Sequence, residues 1–498
     1  MRRLSHWIGG SATESDTQRW GQVFDPATGK VQAEVPFATR AEIDLAVAKA
    51  RLAADDWNQS SLSRRTEVLF AFRHLVNNRR DDLARIITAE HGKVHDDALG
   101  EISRGLENIE FACGLSQHLK GGFSSQVSGG VDVNSLRQAV GVVTGITPFN
   151  FPVMVPLWMT ANAIACGNAM ILKPSEKDPS AAMFLAELLK EAGLPDGVFT
   201  VLHGDADVVG ALLEHEGIDA VSFVGSTPIA KSIYSRATSS GKRAQALGGA
   251  KNHMVVLPDA DLGVAADAAV SAAYGSAGER CMAVSVVVAV GDIADGLVDA
   301  IASRLGALRI GPGSNPDSEM GPLITREHRD KVASYVAGAA AEGATVVVDG
   351  RELELSGDAS EGFFIGASLV DHVTPGMKVY DDEIFGPVLS VVRVSTYGEA
   401  VALVNSNPYG NGVAIFTRDG GAARQFTFEV TVGMVGVNVP IPVPVASYSF
   451  GGWKDSLFGD AHMYGPAGID FFTRTKVVTT RWPDPSTSAV DLGFPKTR

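Results

Sequence analysis

Two α/β domains are predicted for this chain, on three observations. At 498 residues it is longer than the roughly 100 to 200 that a single hydrophobic core serves, so two or three domains are expected. Between Val140 and Gly249 short apolar runs alternate with helical stretches, the signature of parallel βαβ units. After Leu247-Gly248-Gly249 a second alternation of the same kind begins. With 45% hydrophobic and 20% charged residues the composition is that of a soluble globular protein, so a sizeable packed core can form.

The elements follow in chain order. From Arg40 to Leu119 apolar residues recur at helical spacing, as in Ile43, Ala46, Val47 and Ala50, which predicts helices rather than a sheet. The segment Gly121 to Asn134, rich in Gly, Ser and alternating Val, predicts an exposed ribbon suited to an intersubunit arm. Gly141 to Ile146, Ala169 to Leu172, Val198 to Leu202 and Ala220 to Val224 are strand-like. In open parallel sheets ligands lie beyond the carboxyl ends of the strands. The loops to search are therefore Thr147-Pro148-Phe149-Asn150, Lys173-Pro174-Ser175-Glu176 and Gly225-Ser226-Thr227-Pro228. The second alternation holds Met254 to Leu257, an Ala-rich helix from Leu262 to Ser276, and a strand from Val284 to Val290. No G-x-G-x-x-G follows any predicted strand, so the usual dinucleotide fingerprint is missing. The polar end from Trp482 to Arg498 is expected to be loosely held.

Charge and cysteines narrow the function classes. Acidic residues outnumber basic ones by 57 to 42, a formal charge of -15 that argues against nucleic acid as a partner. Met1 to Gly10 lacks a secretory core and no later run approaches a spanning helix, so no membrane partner and a cytoplasmic location are expected. Cys113, Cys166 and Cys281 are too few and too scattered for a disulfide framework or a thiolate metal site.

Five motifs stand in order along the chain: Phe149-Asn150-Phe151-Pro152, Lys173-Pro174-Ser175-Glu176, Phe223-Val224-Gly225-Ser226, Gly278-Glu279-Arg280-Cys281 and Glu383-Ile384-Phe385-Gly386-Pro387. Each alone is weak evidence. Together, in this order and over nearly the whole chain, they resemble the aldehyde dehydrogenases. The resemblance implies a Rossmann-type NAD-binding domain over 1–120 and 138–247 and an α/β catalytic domain over 248–440. It also implies a small β oligomerisation arm and C-terminal tail over 121–137 and 460–498. With an arm at Gly121 to Asn134 and Phe471 to Thr480, a homodimer or homotetramer is implied.

Roles follow from the same resemblance. Cys281, which alone would read as a small buried hydrophobe, is implied as the nucleophile, because thiolate adds to an aldehyde carbon far better than a hydroxyl does. A cation such as the neighbouring Arg280, or backbone amides, would raise its thiolate fraction. Cys113 and Cys166 stay structural. Asn150, otherwise a turn residue, is implied as oxyanion donor together with the backbone N–H of Cys281. Lys173 and Glu176, otherwise a solvated pair, are implied contacts to the adenosine ribose. A carboxylate at Glu176 would repel a 2′-phosphate and so favour NAD over NADP, with Lys177 offsetting part of that repulsion. Ser226, able to cap its helix, is the implied phosphate contact at an amide-rich helix end. Glu383 resembles the nicotinamide-ribose ligand, Thr147 and Phe149 the backbone and wall contacts, and Gly248 a further cofactor contact. His253 reads as a hydrogen-bonded core or loop residue.

One position departs from the common family pattern. Hydrolytic members carry, just before Leu-Gly-Gly, a Glu that activates water, and this chain has Ala246 there. Without that base a thioacyl enzyme would survive for transfer to coenzyme A as co-substrate. The stretches Leu247-Gly248-Gly249-Ala250-Lys251-Asn252-His253 and Gly278-Glu279-Arg280-Cys281-Met282-Ala283 resemble the CoA-acylating methylmalonate-semialdehyde dehydrogenases. That branch converts small semialdehydes bearing a carboxylate, and Arg104 and Arg280 match its two arginines. On helix pattern alone Arg104 lies off the apolar face of Ile102, Leu106, Ile109 and Cys113, facing solvent. A hydrolytic semialdehyde dehydrogenase, or a non-catalytic oligomer on the same scaffold, stays open at this point.

Overall fold

The computed structural model describes residues 2–483 together with Ser486 and Val490. Helices Arg40–Gln59, Leu62–Asn78, Arg80–His91 and His95–Cys113 fill the stretch of helical apolar spacing. The first opens with a reciprocal capping box, in which the Thr39 hydroxyl accepts from the Glu42 N–H and the Glu42 carboxylate accepts from the Thr39 N–H. It buries Ile43, Ala46, Val47 and Ala50, the residues whose spacing predicts it.

Five parallel strands make the centre of the first sheet. In chain order they are Val142–Ile146, Ala169–Lys173, Phe199–Val201, Ala220–Val224 and Arg243–Leu247, and in space they lie fifth, fourth, first, second, third. The order reverses between Val142–Ile146 and Ala220–Val224, so the loops beginning at Thr147 and Gly225 diverge there and open a crevice. Every residue of these two strands and of Ala169–Lys173 is buried, as sheets covered on both faces require. His6–Trp7 and Ala12–Thr13 extend one edge, and Leu457–Phe458 pairs antiparallel on the other.

The second sheet has seven strands, in the order Thr345–Val348, Ser368–Asp371, Val388–Val394, Val284–Val290, Asn252–Val256, Gly412–Phe416, Met434–Val437. The first of these runs antiparallel to its neighbour and the others are parallel. The Ala-rich helix spans Leu262–Tyr274, two residues short of the expected end. Ser276 and Ala277 take left-handed backbone angles, φ 54° and 52°, which no helix can contain.

The first sheet packs an apolar core against each of its faces and the second sheet has its own, and the chain returns late to one face of the first. Met463, Tyr464, Ile469, Phe471 and Phe472 join the core of the first sheet. The sequence division places 460–498 with the arm, but this apolar stretch is buried before the arm strand begins at Thr473. Thr473–Arg481 then pairs antiparallel with Val131–Ala139 over its full length, and Phe123–Ser128 flanks the other side. On this small sheet Phe123, Leu136 and Val477 are exposed. Trp482 donates from its backbone to Gly130 and from its indole to Asp132, at 2.7 and 2.9 Å. Most of the expected loose tail beyond it lies outside the described residues. No helix among the described residues is long and apolar enough to cross a membrane.

Candidate active site

Cys281 follows a backbone that is left-handed at Ser276, Ala277 and Gly278. For the two non-glycines this costs about 1–2 kcal/mol each, strain that must be held by the surroundings. Gly278 admits nothing larger, since an added Cβ would sit 2.4 Å from the Gly386 carbonyl oxygen. Two side-chain amides complete the restraint: Asn252 and Asn411 donate to the Cys281 carbonyl at 2.9 and 3.0 Å. Asn252 in turn accepts from the Gly412 N–H at 3.0 Å, locking neighbouring strands around the loop.

Burial pushes the Cys281 thiol up to about 12, and the Glu383 carboxylate adds to the shift. The backbone N–H groups of Cys281 and Met282 and the Arg280 guanidinium pull the other way but do not win. Arg280 thus acts in the expected direction, but burial and Glu383 outweigh it, and its guanidinium is also ion-paired with Asp97. Cys113 and Cys166 are buried and pushed up to about 11 and about 12, mainly by desolvation.

Cys281 forms part of the walls of two hollows. One is a cavity of about 390 Å³ lined by Phe151, Trp158 and Phe450 as well as Arg104 and Arg280. The other is a narrow cleft shared with Lys251, Glu383 and Phe385. Arg104 thus faces the cavity despite the helix pattern, because the segment Ile441 to Pro444 covers that side of its helix. Its guanidinium donates to Glu107 at 2.9 and 2.8 Å and to the carbonyls of Val443 and Pro444 at 3.2 and 3.0 Å. Both arginines therefore carry a carboxylate partner and still line the cavity.

The turn after Val142–Ile146 reaches the cavity through Phe151 and the cleft through Phe149 against Phe385. Thr147 is buried, its N–H donates to the Lys173 carbonyl at 3.2 Å, and its hydroxyl has no partner among the described residues. Phe149 packs edge-on to Phe385 at 6.0 Å, and the Lys177 ammonium lies over the Phe149 ring at 4.9 Å. Lys177 is thus placed on the Phe149 wall, while Glu176 is paired with Lys173 at 3.3 Å. Asn150 is buried between Phe149 and the cavity-lining Phe151, and its carbonyl accepts from Lys93 at 2.7 Å.

Lys173, Ser226 and Gly248 each stand at or just past the carboxyl end of a parallel strand of the first sheet. The strands of Lys173 and Ser226 are separated by Val142–Ile146, so Glu176 and Ser226 flank the crevice from different strands. Ser226 makes no capping bond, which leaves the first amides of Thr227–Ser239 without a side-chain acceptor. Glu383 accepts from the Ala250 N–H at 2.8 Å, and burial pushes its carboxyl up to about 7. Gly249 keeps the approach to that carboxylate open, since a Cβ there would lie 2.2 Å from Glu383 Oε2. An unpartnered buried hydroxyl, an uncapped helix start and a glycine floor fit a dinucleotide along this edge. Ala246 is wholly buried in the core beneath. His253 is a core residue whose Nε2 lies 3.1 Å from the Tyr380 hydroxyl. No cluster of three metal-ligating side chains occurs among the described residues.

The sequence reading passes over Lys93, Asp97, Glu101, Asn252 and Asn411. A signal existed for Glu101, which falls on the buried face of its helix between Ala98 and Ile102. Asn252 stands within the stretch Leu247 to His253 and Asn411 in no motif, and nothing in the pattern shows that both reach the Cys281 carbonyl.

The aldehyde dehydrogenase family model matches residues 12–478. A malonate-semialdehyde dehydrogenase of Pseudomonas aeruginosa is 52% identical over 497 residues, covering 99% of this chain and 100% of that one. Among solved structures, a methylmalonate-semialdehyde dehydrogenase from Oceanimonas doudoroffii superposes with a TM-score of 0.96 at 51% identity, over 98% of this chain and 99% of that chain. A Sinorhizobium meliloti 1021 chain complexed with NAD matches with the same TM-score of 0.96, 51% identity and coverage of 98% and 99%. The chain belongs to the aldehyde dehydrogenase family.

Proposed function

We propose that this enzyme oxidises malonate or methylmalonate semialdehyde with NAD and coenzyme A to acetyl-CoA or propionyl-CoA, releasing CO2. The observation that carries the reading is the position of Cys281 between a two-arginine cavity and a cleft ending at Glu383. The cavity suits a small aldehyde with a carboxylate, and guanidinium groups are the donors of choice for that anion. Thr147, Phe149, Lys173, Glu176, Lys177, Ser226, Gly248 and Glu383 would hold the dinucleotide. When bound, NAD supplies the hydride acceptor, and the positive charge of its ring favours the thiolate beside it.

Cys281 first loses its proton to solvent water in the cavity; the thiolate then adds through sulfur to the aldehyde carbon, and the carbonyl electron pair moves onto oxygen. Asn150 and the Cys281 N–H donate to that oxyanion. After oxidation the acyl group is a thioester of Cys281, with the substrate carboxylate β to its carbonyl. The C–C bond to the carboxylate then breaks, CO2 leaves, and its electron pair enters the thioester as an enolate held by the same donors. Protonation at carbon gives the acyl enzyme, and the thiol of coenzyme A displaces Cys281. With Ala246 where a water-activating Glu would stand, transfer rather than hydrolysis is favoured. Hydrolysis is the second reading, supported by Glu383, a carboxylate pushed up to about 7 beside Cys281.

NADH formation from malonate semialdehyde, followed with and without coenzyme A, tests the reading. Turnover should require coenzyme A and yield acetyl-CoA. Free acid formed at the same rate without it would establish hydrolysis instead. A homodimer or homotetramer in the cytoplasm completes the proposal, supported by the exposed apolar residues and open edges of the 123–139 and 473–481 sheet. Sedimentation analysis tests the assembly.

A further inference from the structure

The turn that carries Asn150 is gripped by a buried ion pair whose Glu101 belongs to the wall of the Cys281 cavity. Lys93 and Glu101 have side chains that are 0% exposed, and the Lys93 ammonium meets the Glu101 carboxylate at 2.8 Å. That ammonium also donates to the Asn150 carbonyl at 2.7 Å and lies over the Phe151 ring at 4.4 Å. The second oxygen of Glu101 accepts from the N–H groups of Val153 and Met154 at 2.8 and 3.0 Å, where the helix Met154–Ala165 begins. One pair thus fixes both ends of the stretch from Asn150 to Met154. Lys93 and Glu101 come from neither flanking element: Lys93 sits between helices Arg80–His91 and His95–Cys113, and Glu101 within the latter.

We propose that Lys93 and Glu101 are positioning residues that set the direction of the Asn150 side chain by clamping its backbone. The inference rests on Asn150 acting as oxyanion donor. A buried charge pair is a poor source of stability, because desolvating both ions offsets most of their attraction. Its value here is geometric. A donor must lie within a few tenths of an ångström of the place where negative charge develops, and a turn rich in phenylalanine has no backbone ladder to hold it there. The ammonium supplies a charge-assisted bond on one side of Asn150, and the carboxylate anchors the helix start on the other.

The test is a double-mutant cycle on the full-length enzyme. Lys93→Met with Glu101→Gln removes both charges at once, leaves no unpaired ion, and keeps an acceptor for Val153 and Met154. The expected result is a kcat lowered roughly tenfold to a hundredfold, with both KM values within about threefold and the alkylation rate of Cys281 by iodoacetamide unchanged. Adding Asn150→Ala to that variant should then cost far less than it does in the unmodified enzyme, because both changes remove one effect. A wild-type kcat in the double variant, or a full additive loss on adding Asn150→Ala, would overturn the proposal while leaving Asn150 in its role. Full activity of Asn150→Ala alone would overturn that role and the proposal with it. Should the double variant not fold, Glu101→Asp, which keeps both charges but draws the carboxylate back by one methylene, reads the same split, with a several-fold loss expected in kcat and none in thiol alkylation.

Discussion

The two turns that meet at the candidate site are held by opposite means. The Cys281 loop is restrained by left-handed backbone and by the neutral amides of Asn252 and Asn411. The Asn150 turn is restrained by a buried ion pair reaching it from the helix His95–Cys113 and from the loop before it. On the roles proposed for Cys281 and Asn150, the difference follows from what each turn must do. A nucleophile has to change charge during the reaction, so a fixed ion bonded to its backbone would bias the thiol permanently. An oxyanion donor stays neutral throughout, and the clamp on its backbone is a paired ion whose two charges largely cancel at a distance.

The largest effect should come from the nucleophile itself. Cys281→Ala should abolish turnover, a loss above about a thousandfold, while cofactor binding measured by fluorescence titration stays close to normal. Retention of more than a few per cent activity would move the chemistry to another residue. Cys113→Ala and Cys166→Ala should leave kcat intact, since both thiols are buried in packing and lie outside the cavities.

Next come the arginines that face the cavity. Arg104→Leu and Arg280→Leu should each lower kcat/KM for methylmalonate semialdehyde by roughly tenfold to a hundredfold, the worth of a charge-assisted hydrogen bond. Propanal, which has no carboxylate, should lose far less. Because Glu107 and Asp97 already engage these guanidinium groups, the effect belongs at the lower end of that range. Equal losses for both aldehydes would make the arginines supports for the cavity wall rather than substrate ligands.

What was legible in the sequence divides along the same line as the two turns. Backbone-driven features were readable: period-two and period-3.6 patterns locate the strands and helices around Val142, Ala169 and Ala220, and small motifs locate Cys281. Long-range side-chain contacts were not. Arg104 reads as solvent-facing because its own helix cannot reveal that residues 441–444, over 330 positions away, cover it. Glu101 was readable as a carboxylate on an apolar face, yet its partners at Lys93, Val153 and Met154 depend on how three elements pack. The resemblance places 460–498 with the arm and tail, although the aromatic content of residues 463–472 suits the core they enter.

A smaller effect probes how far the thiol is kept free of fixed bias. Glu383 disfavours the Cys281 thiolate, and its own carboxyl is pushed up to about 7 by burial. Below pH 7 it is protonated and exerts no charge; above pH 7 it is ionised and opposes the second negative charge. Glu383→Gln should therefore speed iodoacetamide alkylation of Cys281, in enzyme without cofactor, by roughly three- to tenfold at pH 9 and hardly at all at pH 6. In both forms the rate should keep climbing through pH 10, because the thiol is raised far above its usual range. A plateau near pH 8 in the unmodified enzyme would show a thiolate already favoured by its surroundings, and the contrast between the two turns would fail.

The smallest effect lies at the rim, where charge is cheapest. Glu176 has a side chain 37% exposed and is paired with Lys173, which is 7% exposed. An exposed pair is worth about 0–1 kcal/mol, so removing the carboxylate should change binding by no more than roughly fivefold. Direction distinguishes the roles. If Glu176 accepts from the adenosine ribose, Glu176→Gln weakens NAD and strengthens NADP, because the repulsion of a 2′-phosphate falls while Lys173 keeps its charge. Lys177 does not confuse the result, since its ammonium is placed on the Phe149 ring rather than on Glu176. The ratio of kcat/KM for NAD over NADP, measured at two salt concentrations, reads this directly. A ratio unchanged at both would make Glu176 a surface acid that merely holds Lys173, and cofactor choice would then rest on the helix start at Ser226 and on Glu383.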